Sequence, residues 1–243
     1  MTKLFEISLS KRTLLGTIAA AAMTAALLSL SPRATMAAEP AFLIPPPSID
    51  ATASGNTQKA IFAGGCFWGV QGVFQHVKGV KNAVSGYSGG DQATANYETV
   101  SGGRSDHAEA VEITYDPKEV TYGQLLQVFF SVAHNPTQLN YQGPDHGPQY
   151  RSEIFTTDDE QKKIAQTYIA ELDKTRIYGE PVVTKVSDLS AFYPAEDYHQ
   201  DFLTLNPTYP YIVYNDMPKI DNLKALFPDS FASTPVLVLK AKG

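Results

Sequence analysis

The only cysteine of the chain, Cys66, lies in the segment GGCFWG together with the only tryptophan, Trp68. Apolar residues recur after Cys66 at spacings of three and four, which predicts a helix whose first turn holds the thiol. A helix N-terminus carries a partial positive charge and free backbone N–H groups, and both favour a thiolate. Gly64 and Gly65 allow a sharp turn that leaves the sulfur uncovered. The pattern predicts a nucleophilic cysteine, and the alternative is a buried structural cysteine.

Further motifs follow this segment in a fixed order. They are GYSGG, NYETVSGG, HAEAVEITYDP, LLQVFF, DHGPQYRS and AEDYHQDFL, and together with GCFWG they lie between residues 59 and 207. The ordered set resembles the A-type peptide methionine sulfoxide reductases. This resemblance implies reduction of methionine-S-sulfoxide, protein-bound and also free, to methionine through a sulfenic acid on Cys66.

Sulfoxide reduction needs a nucleophile for the sulfur, an acid for the departing oxygen, and donors that hold that oxygen. The resemblance implies Cys66 as the nucleophile and Glu109 as the acid. Burial of Glu109 in an apolar pocket would raise its pKa and keep it protonated near neutrality. Taken alone, Glu109 lies between apolar residues on a predicted strand and is also compatible with an outward, solvated carboxylate.

The resemblance also implies a set of residues that hold the substrate. Tyr97 and Tyr150 match hydroxyl donors to the sulfoxide oxygen, and Asp145 matches a residue that helps to position the substrate. Phe67 and Trp68 would hold the S-methyl group, because sulfur packs well against aromatic rings. No metal site is expected, since the H-x-E pattern at residues 107–109 lacks the paired cysteines of zinc deaminases.

The chain departs from the family pattern at two points. Gln71 stands five residues after Cys66, where many members of the family carry Glu, and we expect this to alter a structural contact. The lack of a second cysteine has a larger consequence, because no internal disulfide can resolve the sulfenic acid. With no bound cofactor, reduction must come from an external thiol: a thioredoxin-like protein, glutaredoxin or glutathione, or dithiothreitol in vitro.

Two other functions are compatible with an activated cysteine. A single-cysteine thiol peroxidase would use the same thiolate on peroxide, but it needs a donor such as Arg104 or Arg151 near the sulfur, which the sequence cannot place. A non-catalytic module that recognises methionine or its sulfoxide would bind without turnover. Comparing the turnover of sulfoxide with that of peroxide separates these functions.

The elements that must position these residues can be read from periodicity and turn signals. Strands are predicted in KAIFAGG, VKNAVSGYSGG, AEAVEITYDP, RSEIFTT and PVVTKVSDL. Helices are predicted after Cys66, after the capping residue Thr121, and after a capping box of Thr157 and Glu160, with a short one in AEDYHQDFLTL. We expect an α+β fold: a single two-layer domain with a mixed β-sheet flanked by helices, of the ferredoxin-like, α-β plait type.

The ends of the chain differ in composition from the middle. Residues 1–38 combine a basic start, an apolar stretch and a small-residue exit, which predicts a signal peptide cleaved near Ala37 or Ala38, with an uncleaved anchor as the alternative. Residues 39–57 form a Pro-rich linker or a surface-hugging arm, residues 58–229 the catalytic domain, and residues 230–243 a tail. We therefore expect an exported monomer of the bacterial periplasm or cell envelope.

The net charge of the 243-residue chain, −6, disfavours nucleic acid as a partner. Binding to nucleic acid requires a basic face that neutralises phosphates. The expected partners are oxidised proteins or methionine sulfoxide as substrate, and a thioredoxin-like or small-thiol reductant.

Overall fold

The structure, a computed structural model, describes residues 41–239. The segment 1–38, predicted as a signal peptide, lies outside the described residues. Among residues 41–239, none of the helices combines the length and the apolar character needed to cross a membrane.

A six-stranded mixed sheet forms the centre of the described chain, with the strand order β7-β6-β1-β3-β2-β8. Strands β6 and β7 run parallel, and every other neighbouring pair in this sheet is antiparallel. Two further short strands, β4 and β5, pair only with each other. The strands are β1 Gln58–Gly64, β2 Val80–Ser88, β3 Ala108–Tyr115, β4 Tyr141–Gln142, β5 Asp145–His146, β6 Ser152–Thr156, β7 Lys185–Asp188 and β8 Phe192–Pro194.

Residues 41–239 also form six α-helices and several short turns of helix. One π-turn extends the third helix and another leads into the sixth, at Phe129–Ala133 and Ile212–Asp216. Short 3-10 turns occur at Gln92–Thr94, Pro148–Tyr150 and Asp197–His199. The helices are α1 Phe67–Gln75, α2 Tyr97–Ser101, α3 Tyr122–Val128, α4 Asp159–Thr175, α5 Phe202–Leu205 and α6 Met217–Leu226.

The central four strands confirm the expected α+β plait. Along the chain they follow the order β1-α1-β2-β3-α3-β6, and in the sheet they lie as β6-β1-β3-β2, which is the ferredoxin-like arrangement. The sheet has six strands where the sequence predicts four or five. The additional edge strand, β8, has only three residues and ends at Pro194, so its sequence gives no strand signal.

The two faces of the sheet are covered unequally. Alternate residues of β1 point to opposite faces, so Phe62 joins the main core with the helices, whereas Ile61 joins a small second cluster. That second cluster is completed by residues such as Ala108, Ala110 and Phe155. One face therefore carries a deep helical layer, and α1 packs in that layer against β2 and β3.

Helix starts follow the capping chemistry of the sequence, with one shift. Thr121 caps α3 as predicted, because its side chain accepts the Gln124 backbone N–H and the Gln124 side chain accepts the Thr121 N–H. The capping box predicted for Thr157 and Glu160 is wrong by one residue. The helix α4 is capped by Asp158, whose carboxylate accepts the backbone N–H of Gln161 at 2.8 Å. An Asp at this position competes well with the neighbouring Thr as a cap.

Residues 41–57 lie along the domain surface as an arm. Ile44 is 1% exposed and belongs to the main core. The Asp50 carboxylate accepts the backbone N–H of Gly123 at 2.7 Å and the hydroxyl of Thr121, which adds a second cap to α3. The arm also reaches α4, since the Ser48 backbone N–H donates to the Glu171 carboxylate at 3.1 Å.

The C-terminal segment folds back onto the end of α1. The backbone N–H groups of Ala232 and Val236 donate to the carbonyls of His76 and Gln75. Those of Val238 and Leu239 donate to the Asp201 carboxylate at 3.0 and 2.8 Å. Asp201 is 1% exposed, so the tail supplies two of the donors that stabilise a buried charge.

Candidate active site

Cys66 is the N-cap residue of α1, at the junction that leads from β1 into the helix. The turn depends on Gly65, which has φ +89°, a conformation that disfavours any side chain. A Cβ at Gly65 would also lie 2.6 Å from the Cβ of Gln142. The residue as a whole is partly exposed. Cys66 therefore lies at a strand-to-helix junction, as the sequence predicts.

A cavity of about 230 Å³ opens beside the thiol. It brings together the seven residues that the sequence analysis assigned to catalysis and substrate binding, and adds two tyrosines that it did not. The lining residues are Cys66, Phe67, Trp68, Tyr97, Glu109, Asp145, Tyr150, Tyr209 and Tyr211. A concave, aromatic site with a few convergent polar groups is typical of small-molecule binding.

Glu109 lies in β3 with 2% of its surface exposed, so the solvated alternative is wrong. Its Oε2 accepts the backbone N–H of Phe67 at 3.0 Å. Burial raises the pKa of Glu109 to about 8, and the Phe67 N–H opposes part of that rise. At neutral pH the side chain is therefore mostly protonated and able to donate a proton into the cavity.

The Cys66 thiol does not have the low pKa that its helix position suggested. Desolvation raises its pKa well above the ordinary value, and the carboxylates of Glu109 and Asp216 add to that rise. The backbone N–H of Trp68 acts in the opposite direction but is the smaller influence. In the substrate-free site, desolvation therefore outweighs the helix N-terminus in its effect on the pKa of the thiol.

An aromatic wall stands next to the thiol. Trp68 stacks on Phe202 with ring centroids 3.9 Å apart and an angle of 12° between the planes. The rings of Tyr209 and Tyr211 meet the Trp68 ring nearly at right angles. Its Nε1–H donates to Nδ1 of His199 at 3.2 Å, which fixes the orientation of the indole. A rigid, dry surface of this kind suits a thioether methyl group.

Tyr97 and Tyr150 direct free hydroxyl groups at the site. Among residues 41–239, neither hydroxyl has a hydrogen-bond partner in the protein. Burial raises the pKa of both phenols, so both keep their protons as donors. Tyr97 is held by its backbone N–H, which donates to Glu196 Oε1 at 2.9 Å, while Glu196 Oε2 accepts the hydroxyl of Tyr87.

The sequence analysis missed Tyr209 and Tyr211. The Tyr211 hydroxyl donates to the carboxylate of Asp145, which links the C-terminal part of the chain to the substrate side of the cavity. Both tyrosines lie in the segment PTYPY, just before a π-turn. The aromatic and proline content of that segment was the only available signal, because an irregular segment has no periodicity.

Gln71 lies inside a buried amide network. Its Nε2 donates to the carbonyl of Ala83 at 3.0 Å and to Oε1 of Gln200 at 2.8 Å. Its Oε1 accepts the backbone N–H of Asp201 at 2.9 Å. These contacts connect α1 to β2 and to the segment before α5, away from the thiol.

A larger cavity of about 680 Å³ is a polar cleft elsewhere on the surface, and none of the residues predicted for catalysis or substrate binding lines it. Arg104 and Arg151 line this cleft. Neither arginine lines the cavity beside Cys66. Among the described residues, the two arginines considered as donors for a thiol peroxidase therefore line a different cavity from the thiol.

Comparisons with known proteins agree with this geometry. The profile of the family described as peptide methionine sulfoxide reductase matches residues 58–230. "Peptide methionine sulfoxide reductase MsrA 2" of Mesorhizobium japonicum is 68% identical over 195 residues, covering 80% of this chain and 100% of the relative. The protein of the same name from Synechocystis is 52% identical over 191 residues, covering 77% and 89%.

Two solved structures have the same fold. Mxr1 from Saccharomyces cerevisiae in reduced form has a TM-score of 0.59 at 30% identity, covering 70% of this chain and 97% of that one. Methionine sulfoxide reductase A of Corynebacterium diphtheriae has a TM-score of 0.59 at 29% identity, covering 74% and 92%.

Proposed function

This chain belongs to the peptide methionine sulfoxide reductase family and is an oxidoreductase that reduces methionine sulfoxide, and we propose that Cys66 carries out this reaction on the S diastereomer. The observation that carries the proposal is one shared cavity. It combines a thiol, a protonated carboxyl group, two free phenol hydroxyls and an aromatic wall, which are the parts that sulfoxide reduction requires.

In the proposed first step the sulfoxide oxygen lies among the hydroxyls of Tyr97 and Tyr150 and the carboxyl of Glu109. Glu109 protonates the oxygen, which makes the sulfoxide sulfur a better electrophile. The Cys66 sulfur bonds to that sulfur as the thiol proton passes to Glu109. The hydroxyl group then passes from the substrate sulfur to the Cys66 sulfur, and the bond between the two sulfurs breaks with its electron pair left on the substrate sulfur. Overall, Cys66 thiol plus sulfoxide gives Cys66 sulfenic acid plus thioether, and two electrons pass from the Cys66 sulfur to the substrate sulfur.

The raised pKa of the thiol fits this sequence of events. The Glu109 charge is one of the influences that raise the thiol pKa, and protonation of Glu109 removes it. A neutral Glu109 thus favours both the proton transfer to oxygen and the loss of the thiol proton. The two groups act as a coupled pair, so the thiol loses its proton more easily while Glu109 is protonated and neutral.

The second half of the cycle uses an external thiol, because the chain has one cysteine. The first thiol forms a mixed disulfide with Cys66 and releases water. A second thiol then restores the Cys66 thiol and leaves as the disulfide. A thioredoxin-like protein, glutaredoxin or glutathione would serve, and dithiothreitol would replace them in vitro.

We also propose that the enzyme works as an exported monomer that repairs oxidised proteins, with residues 58–229 as its catalytic domain. The N-terminal pattern of residues 1–38 supports export, and the formation of the whole substrate cavity by one chain supports action as a monomer. N-terminal sequencing of the protein recovered from the periplasmic fraction tests the first part. A mature start near Glu39 is expected, and an intact Met1 in the cytoplasmic fraction would contradict export.

The activity is tested with the separate S and R diastereomers of a methionine sulfoxide peptide and dithiothreitol as reductant. The wild type should reduce only the S form, and Cys66→Ser should reduce neither. Hydrogen peroxide is the matched alternative substrate. Turnover of peroxide without turnover of sulfoxide would replace the proposal with a thiol peroxidase.

A further inference from the structure

Four neighbouring rings connect the wall of the cavity beside Cys66, here called the aromatic cavity, to the surface of the protein. The ring of Tyr209 meets that of Trp68 edge-on with centroids 6.3 Å apart, and the ring of Trp68 lies 5.8 Å from that of His199. The ring of Tyr198 follows, 4.3 Å from that of His199. His199 is buried and Trp68 is half-buried, whereas Tyr209 and Tyr198 are 48% and 62% exposed.

Exposure alone does not mark a tyrosine as functional, because single exposed apolar side chains are common on protein surfaces. Tyr214 is also 62% exposed, and within residues 41–239 its ring contacts no other aromatic ring. Tyr198 and Tyr209 differ from it, since ring contacts join both of them to the cavity wall and Tyr209 lines the cavity itself. We call Tyr198 and Tyr209 the aromatic rim. The rim extends the binding surface of the cavity into solvent.

Tyr209 is fixed in position by its backbone and by its ring. Its backbone N–H donates to the carbonyl of Asn206, and its carbonyl accepts the backbone N–H of Val213, both at 3.0 Å. Its ring meets that of Phe202 at nearly a right angle, with centroids 5.5 Å apart. A surface that is already ordered loses little conformational entropy when a ligand packs against it.

The aromatic cavity suits a methionine sulfoxide inside a peptide better than the free amino acid. The free amino acid carries an α-carboxylate, but none of the nine residues that line the cavity is Lys, Arg or His. Lys219 lines a small adjoining pocket with Cys66, and its ammonium is already paired with Asp216 at 3.3 Å. In a peptide an amide replaces the carboxylate, so no counter-ion is needed.

The rim lies within reach of the residues next to a bound methionine sulfoxide. An extended chain advances about 3.3 Å per residue. With the S-methyl group against Trp68, a side chain one or two positions away can contact Tyr209, and Tyr198 lies only one ring beyond His199. A half-exposed ring gains by burying apolar surface, so a large apolar side chain binds there better than glycine.

We propose that Tyr198 and Tyr209 select the substrate by binding large apolar side chains that flank the methionine sulfoxide in the same polypeptide. This inference rests on the proposed function of Cys66. The occupant of the rim is the substrate chain itself, because the rim is continuous with the substrate cavity. Large apolar side chains are mostly buried in folded proteins. The rim therefore directs the enzyme towards oxidised chains that have lost part of their fold.

The test compares two capped peptides that contain the same S-sulfoxide. One has two leucines on each side of the methionine sulfoxide and the other has two glycines, with a lysine at both ends of each peptide for solubility. Enzyme without thiol is given each peptide, and the single burst of reduced peptide measures the formation of the sulfenic acid. The dependence of the burst rate on peptide concentration gives a limiting rate and an apparent dissociation constant.

The wild type should bind the leucine peptide about tenfold more tightly than the glycine peptide. The limiting burst rates should agree within about twofold, because contacts at the rim are made equally before and during the reaction. Tyr198→Ala should reduce the preference to about threefold without weakening the glycine peptide, and adding Tyr209→Ala should remove most of the remainder. Tyr214→Ala is the matched control of equal exposure and should keep the full preference.

Equal binding of the two peptides by the wild type would overturn the proposal, and so would an unchanged preference in the double variant. Because the preference is a ratio, a general loss of activity in the double variant cancels. A lower limiting rate with both peptides at an unchanged preference would give the two tyrosines a structural role only. An absent burst with both peptides in the wild type would instead refute the proposed function itself.

Exposed aromatic rings are also common where proteins dock, so the second half-reaction supplies the competing outcome. The oxidised wild type and Tyr198→Ala are mixed with reduced thioredoxin, and the remaining sulfenic acid is trapped with dimedone and counted by mass spectrometry. The two proteins should be reduced at the same rate. Slower reduction of the variant together with an unchanged peptide preference would assign the rim to the reductant and show the proposal to be wrong.

Discussion

At the scale of single residues, the chemistry depends on how completely Glu109 is removed from water. A carboxyl group with a pKa of about 8 is an acid at neutral pH, whereas the same group in water would be ionised. Burying this carboxyl group costs folding free energy. The protein tolerates that cost because the reaction needs the protonated form. Stability and catalysis therefore make opposite demands on this side chain.

Replacing Glu109 by Gln should reduce the burst rate about 10²- to 10⁴-fold at pH 7, because general acid catalysis is lost. The ratio of wild-type to variant rates should be constant at low pH and decrease as the pH rises through about 8, where Glu109 loses its proton. Taking the ratio cancels the ionisation of the thiol. Single-turnover rates between pH 6 and pH 10 provide the measurement, and Glu112→Gln in the same strand is the control.

The same substitution should stabilise the fold at alkaline pH. The pKa of Glu109 is raised on folding, so its contribution to stability is fully present below about pH 4.5 and is lost as the pH rises to about 8. Glu109→Gln has no such loss, and at pH 9 its advantage should be on the order of a few kcal/mol relative to pH 4. Urea unfolding at the two pH values measures this, and parallel pH dependence of both proteins would contradict a buried, raised carboxyl.

At the scale of elements, helix α1 holds the site on one side and a buried amide network on the other. Gln71 donates to Oε1 of Gln200, and both side chains are hydrogen-bonded to the backbone of β2. Both N–H groups of the Gln71 side-chain amide donate to an oxygen, so this position favours an amide over a carboxylate. The network fixes the start of α1 relative to the sheet, and thus the direction of the thiol.

Replacing Gln71 by Glu should lower the free energy of unfolding by about 1 to 3 kcal/mol at pH 7, because two oxygens would then face the carboxylate. Protonation of the new carboxyl at pH 4 should recover part of the loss. Urea denaturation at both pH values tests this, with the exposed Gln92→Glu as control. An unchanged urea midpoint at pH 7 would mean that the hydrogen bonds donated by the Gln71 amide do not contribute to stability.

Elements with strong local signals were predicted well, and the junction at Cys66 is the clearest case. Its strand, its glycines and the apolar spacing of the helix are all local to residues 59–77, so they are readable from the chain. The burial of Glu109 was not readable. Residues 108–111 of β3 are buried on both faces, so alternation does not distinguish an inward from an outward side chain there.

Some contacts of the site join residues that are far apart in the sequence, and local sequence patterns could not predict them. Tyr211 reaches Asp145 across 66 positions of sequence. Desolvation of Cys66 likewise results from tertiary packing, which a rule based on the helix N-terminus does not include. The family resemblance supplied the residue set, because motifs preserve contacts that periodicity does not encode.

At the scale of the whole molecule, both ends of the described chain bind the domain away from the cavity. The arm of residues 41–57 contributes Ile44 to the core and Asp50 to the start of α3. The tail contributes two backbone donors to the buried carboxylate of Asp201. Neither end lines the aromatic cavity, so we expect them to affect stability more than catalysis.

Ending the chain after Ser230 should lower the free energy of unfolding by about 2 kcal/mol or more, because hydrogen bonds to a buried charge are the expensive ones to lose. The burst rate should stay within about twofold of the wild type. Removal of residues 240–243 alone is the control. A truncated protein with wild-type stability would show that the contacts to Asp201 add nothing.

The pairing of Trp68 with Cys66 also gives the molecule its own optical reporter. The only indole of the chain contacts Phe202 and His199, and it lies two positions after the only cysteine, with Phe67 between them. Its fluorescence has no second tryptophan to obscure it, and oxidation of the neighbouring sulfur alters the polarity that the ring senses. Each turnover can therefore be followed by emission alone, without a label.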